Sequence, residues 1–193
     1  MPILGLGIVI VLAAAMVSIA AYRLGTAWCK YRGQRVIACP ENHAVAGVSL
    51  DVRHAAFTAL RGHAKLRLSD CSRWPERAGC SRDCLFQIER SPADCLVRNI
   101  LTRWYKGRNC VWCGRPIGEI HSTERKPALL TAEKGSVECS RVPAEQLQQT
   151  LAIAQPLCFA CHVANTKVRM VREHPELVIE RTRPVETGNL VKK

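Results

Sequence analysis

The sequence predicts an α+β fold behind an N-terminal transmembrane helix, and three observations carry that expectation. The first is an apolar run from Pro2 to Tyr22 without a charged side chain. The second is a pair of Cys-x-x-Cys elements, Cys110-Val-Trp-Cys113 and Cys158-Phe-Ala-Cys161, with forty-four residues between them. The third is the mixture of short strand-like runs and stretches of helical period that fills the rest of the chain.

Composition bounds what these elements can build. A chain of 193 residues holds one ordinary domain or two small ones. Only 5% of it is aromatic, so a large aromatic core is not expected and cross-links must substitute. Eleven cysteines provide the means; their odd number rules out complete intramolecular disulfide pairing, and their clustering fits metal ligation. The net charge of +12 implies attraction to anionic partners, and it admits phosphates, acidic lipid headgroups or an acidic protein without choosing among them.

At about 1.5 Å per residue the first apolar run spans roughly 30 Å, the thickness of the hydrocarbon layer. Residues 1–23 are therefore expected to form an uncleaved membrane anchor. A cleaved signal peptide would need a basic segment ahead of the apolar core, and none is present. The positive charges follow instead, at Arg23, Lys30, Arg32 and Arg35, which places the soluble part in the cytoplasm of a single-pass cell-membrane protein. In that reducing compartment clustered thiols serve more often as metal ligands than as disulfides.

Residues 24–35 read as a basic linker. The next segment, 36–106, opens with a hairpin, Val36–Ala38 against Ala44–Val52 across Pro40-Glu-Asn42, followed by one or two helical turns at Ala55–Leu60 and a basic stretch Arg61–Arg67. Cys80 and Cys84 are four apart, so on a helix starting near Ser81 they would share a face. With Cys39 and Cys71 they make a second set of four thiols; the alternative use of all four is as small buried hydrophobes. Ser91-Pro92-Ala-Asp94 reads as the start of a helix carrying Leu96, Ile100, Leu101, Trp104 and Tyr105, with Gly107 ending it.

The segment 107–175 holds the paired cysteines. Gly114 permits a tight turn behind Cys113, Pro116–His121 and Ala128–Thr131 read as short strands with Val137–Cys139 as a third, and Pro143–Ile153 as a helix. Pro156 breaks the chain before a last helix, Ala160–Arg172. Residues 176–193 form a basic tail. Cys110, Cys113, Cys158 and Cys161 are the expected ligands of one tetrahedral site. Zinc is the favoured ion, and iron fits the same four thiolates. Cys158-x-x-Cys161-His162 also matches the pattern for covalent haem attachment, which would make the chain an electron carrier.

A turn with two cysteines, short strands, and a helix whose first turn carries two more resembles a treble-clef zinc finger module over residues 107–172. Cys110, Cys113 and Gly114, then Leu157, Cys158, Cys161, His162 and Lys167, are similar to the frame of zinc-stapled HNH nucleases. The resemblance implies metal-dependent nuclease activity with His121 and His162 as its catalytic residues. The sequence departs from that family in carrying Ile120 before His121, where Asp is expected, and in having no Asn between Ala152 and Pro156. No Ser-His-Asp set, glycine-rich phosphate loop or paired-carboxylate motif occurs, so a binding or scaffold module is expected over an enzyme. Its expected partners are the membrane and, through the basic surface, anionic lipid, nucleic acid or another membrane protein; no small-molecule substrate is expected.

Overall fold

The computed structural model describes residues 2–74, 76–77, 79–118, 127–132 and 135–173. They form a mixture of helices and small antiparallel sheets in two compact units, Met1–Lys106 with Val142–Ala152, and Gly107–Arg141 with Ile153–Lys193. The expected module at 107–175 is thus interrupted: Val142–Ala152 packs with the first unit.

Helix α1 (Pro2–Tyr31) is the one helix among the described residues long and apolar enough to cross a membrane. Its large apolar side chains from Leu6 to Ile19 are exposed. The expected linker at 24–35 is not a linker through Tyr31, because Leu24, Ala27 and Tyr31 supply a helical stripe that buries against α2 (Val52–Ala59) at Ala56 and Ala59. Arg35, fully buried, ends the helix: its Nη1 donates to the carbonyls of Tyr31 (2.7 Å) and Gly33 (3.0 Å) and its Nη2 to that of Lys30 (2.8 Å). These are carbonyls that a helix C-terminus leaves without intrahelical partners.

Strands β1 (Arg35–Ala38), β2 (Val45–Leu50) and β3 (Leu68–Cys71) form an antiparallel sheet in the order β1-β2-β3. The third strand was hidden by the basic stretch before it. One sheet face carries Ile37, Ala46, Val48, Leu50 and Leu68, covered by Ile88 of α3 (Cys84–Arg90). Helix α3 starts at Cys84 and not near Ser81, since Arg82 sits at φ 62°, outside the right-handed helical region, and Cys80 is left in the preceding turn. Helix α4 (Val97–Tyr105) also starts later than Ser91-Pro92 suggests. Val36 N–H donates to Cys95 O and Val97 N–H to Gln34 O, which holds residues 95–97 extended beside β1 and delays the helix. Helix α5 (Leu147–Ile153) follows a short 3₁₀ turn at Ala144–Gln146, and that turn lies so close to Gly47 of β2 that a Cβ there would stand 2.8 Å from Ala144 Cβ.

The second unit holds the sheet β5-β4-β6, with β4 (Ala128–Thr131) between β5 (Gly135–Glu138) and β6 (Gln155–Leu157). Pro156 enters β6 without breaking the ladder because β6 is an edge strand, where its missing N–H costs nothing. Helix α6 (Phe159–Glu173) follows at once. Of the expected strand at Pro116–His121, the described part makes one isolated bridge, Pro116 with Asn109; Glu119–Lys126 lie outside the described residues, as does the tail.

Candidate metal centre

Local backbone geometry in the second unit brings four sulfurs together. Cys110 opens a tight turn in which Gly114 N–H donates to Cys110 O at 2.9 Å, while Cys110 N–H donates to Arg115 O at 2.9 Å. Gly114 takes φ 69°, a left-handed conformation that glycine adopts without strain, so the turn closes within two intervening residues. Ile117 N–H donates to Arg108 O on the far side, making the segment a narrow hairpin with Cys110–Cys113 at its tip.

The second pair arrives through β6 and α6. Val111 N–H donates to Pro156 O at 2.9 Å, tying the hairpin to the edge strand. Cys158 follows β6 directly, and Cys161 lies in the first turn of α6, where His162 N–H donates to Cys158 O at 3.0 Å. Asn165, which carried no signal in the sequence, donates from Nδ2 to Ser136 Oγ at 2.9 Å and fixes α6 to β5.

The four sulfurs of Cys110, Cys113, Cys158 and Cys161 lie within 4.8 Å of one another, positioned to bind one metal ion. Cys113 Sγ and Cys158 Sγ are 3.8 Å apart, too far for a disulfide and equal to the edge of a tetrahedron with metal–sulfur bonds of about 2.3 Å. Cys158 N–H donates to Cys110 Sγ at 3.3 Å. Burial pushes the Cys110 thiol up, but the backbone N–H groups of Cys158, Cys113 and Trp112 and the Cys113 side chain together hold it down at about 6. Cys161 moves the other way, pushed up to about 12 first by its hydrogen bond with Cys158, then by burial and by Cys113 and Cys110. Four thiols this close cannot all ionise unless a cation replaces their protons. The donor set therefore fits a thiophilic divalent ion, and zinc is consistent with it.

No family model, no curated protein and no solved structure matches this chain.

The other expected site residues divide as follows. Cys39, Cys71, Cys80 and Cys84 do not draw their sulfurs as close as the first set: among the described residues, only the Cys110 group does so. His162 stands beside Cys161 with its Nδ1 buried and without a hydrogen-bond partner among the described residues, whereas His121 lies outside them. Trp112 is half exposed at the hairpin tip.

Proposed function

We propose that this chain is a membrane-anchored zinc protein that works as a binding or scaffold module at the cytoplasmic face, its second unit a treble-clef-like fold closed by the ion. One observation carries the reading: four cysteine sulfurs from two distant segments converge on one point. Four protein thiolates fill a tetrahedral ion completely, so the ion has no open position for substrate or water and serves structure. The same convergence engages Cys158 and Cys161 with Cys110 and Cys113, which favours ligation of an ion over covalent attachment of haem.

The membrane half of the reading rests on α1 and on the charges that follow its apolar part. A groove between α1 and the end of α2 is lined by His63 and by Arg23 and Lys30, the two last being cationic groups at the level where lipid phosphates would lie if residues 1–22 are inserted. Trp28, partly exposed on the same helix, suits the polar boundary layer.

Elemental analysis of the detergent-solubilised chain, purified without chelator, tests the metal: zinc is expected, and a chain without bound metal ends the proposal. Reporter fusions after Lys193 test the side, with activity expected from a cytoplasmic reporter and none from a reporter active only outside. Flotation with liposomes containing phosphatidylserine, compared with neutral ones, tests the lipid partner. Incubation with plasmid DNA and Mg²⁺ or Mn²⁺ should leave the DNA intact; cleavage abolished by His121→Ala would make the protein a nuclease instead.

A further inference from the structure

We propose that the first unit holds a second metal centre, in which Cys39, Cys71, Cys80 and Cys84 ligate one zinc-type divalent ion. The inference does not depend on the centre at Cys110.

Topology brings three of the thiols together. β1 and β3 both pair antiparallel with β2, so they run parallel to each other and end at the same end of the sheet. Cys71 is the last residue of β3, and Cys39 directly follows β1. The register pairs Ile37 with Ala46 and Val48 with Cys71, and side chains alternate along a strand, so Cys71 shares a face with Ile37; Cys39, two residues beyond Ile37, continues on it. Helix α3 covers that face and contributes Cys84 to the same cluster as Cys71. Gln87 anchors its first turns to the end of β1, donating from Nε2 to Ala38 O at 2.7 Å and accepting from Ala38 N–H at 3.3 Å.

Cys80 completes the set through the turn before α3, in which Cys80 N–H donates to Arg77 O at 3.3 Å and Arg82 reverses the chain at φ 62°. All four cysteines line one small pocket of about 20 Å³, the room of roughly one water-sized sphere. Each is a free thiol.

The surroundings distinguish a ligand site from four buried hydrophobes. Arg73, Arg77 and Arg82 line the same pocket, and Arg73 Nη1 donates to Cys39 Sγ at 3.1 Å. Glu41 and Asp83 also line this pocket and Glu76 acts on Arg73, and four thiolates around a divalent cation would add two net negative charges for the guanidinium groups to meet. Trp74 Nε1, in the same pocket wall, is buried without a partner among the described residues, and a thiolate sulfur is an acceptor for it. Cys39 and Cys80 are only partly buried, so their side chains have the freedom to rotate onto the ion.

Metal counting on the full-length chain in detergent, reduced and never exposed to chelator, tests this by elemental analysis and native mass spectrometry. Two ions per chain are expected, falling to one in Cys80→Ser/Cys84→Ser and to one in Cys110→Ser/Cys113→Ser. One ion per wild-type chain that persists in Cys80→Ser/Cys84→Ser overturns the second centre, as do two ions that persist in that variant. Where a variant fails to fold, the wild type still decides through timed alkylation read by peptide mass spectrometry. Peptides carrying Cys39, Cys71, Cys80 and Cys84 should resist alkylation until a strong chelator is added. Alkylation of these four at the rate of exposed Cys29, or their recovery as disulfides, overturns the proposal.

Discussion

The two units set cysteines in different company. In the first, the thiols sit at the end of a sheet whose face already buries Ile37, Ala46, Val48, Leu50, Leu68 and Ile88. In the second, the cluster around the sulfurs is Cys110 itself with Ala128 and Leu157, flanked by partly buried Ile117 and Leu130. Burying one large aliphatic side chain contributes about 1.5–3 kcal/mol, so the first cluster gathers gross stabilisation on the order of 10 kcal/mol and the second only a few. A structural zinc ion is worth about 10–16 kcal/mol in isolated zinc fingers, which makes it the largest single contribution the second unit can draw on. The lesson is that similar numbers of cysteines need not carry similar weight: one unit has a side-chain core to fold around, and the other stands to gain most from an ion held by its four sulfurs.

Chelation should break this contrast most sharply. Stripping the metal should cost the amides of β4, β5, β6 and α6 their protection from hydrogen exchange, while the β1–β3 sheet keeps its own; loss of protection in both units at once would show the first to be metal-dependent as well. Cys158→Ser comes next, because it removes a ligand and leaves the other three thiols crowded. Zinc affinity of the second unit should fall by more than about 100-fold, beyond what loss of an outer-shell partner costs, as competition with a chromophoric chelator would measure.

Arg35→Met probes the other side of the comparison. It strands three carbonyls at the end of α1 and should destabilise the first unit by about 3 kcal/mol in denaturant unfolding, given the strength of charge-assisted hydrogen bonds. Metal bound at Cys110 should be unaffected. Gly47→Ala forces β2 away from Ala144 and should cost about 1–3 kcal/mol in the same unit. Arg103→Ala removes an exposed pair with Asp94 (2.9 Å) and should cost under about 1 kcal/mol, which sets the floor of the series.

Legibility in the sequence followed the same division. The convergence of four cysteines in the second unit was readable because two-residue spacing has a direct geometric meaning, and α1 because apolar length does. The strands β3 and β6 were not: one hides behind a basic run and the other contains Pro156, so each is made a strand by its partner rather than by its own composition. The starts of α3 and α4 were misplaced for a related reason. A shared face for Cys80 and Cys84 suggests a helix from near Ser81, and Ser91 looks like a cap, yet the φ of Arg82 and the bridge from Arg35 to Leu96 decide where each helix begins. Nor does a run of basic residues announce that Arg35 will be buried; only the carbonyls it reaches explain that.

The unbroken passage of α1 from its apolar part into the first unit has a mechanical outcome. A span joined to its cargo by a slack tether lets the cargo swivel, but here the last two turns of the helix are gripped by α2 on one side and by Arg35 at the tip. Any tilt or axial rotation imposed on the apolar part of α1 would turn β1, β2 and β3 with it, as a key turns the bolt to which it is fixed.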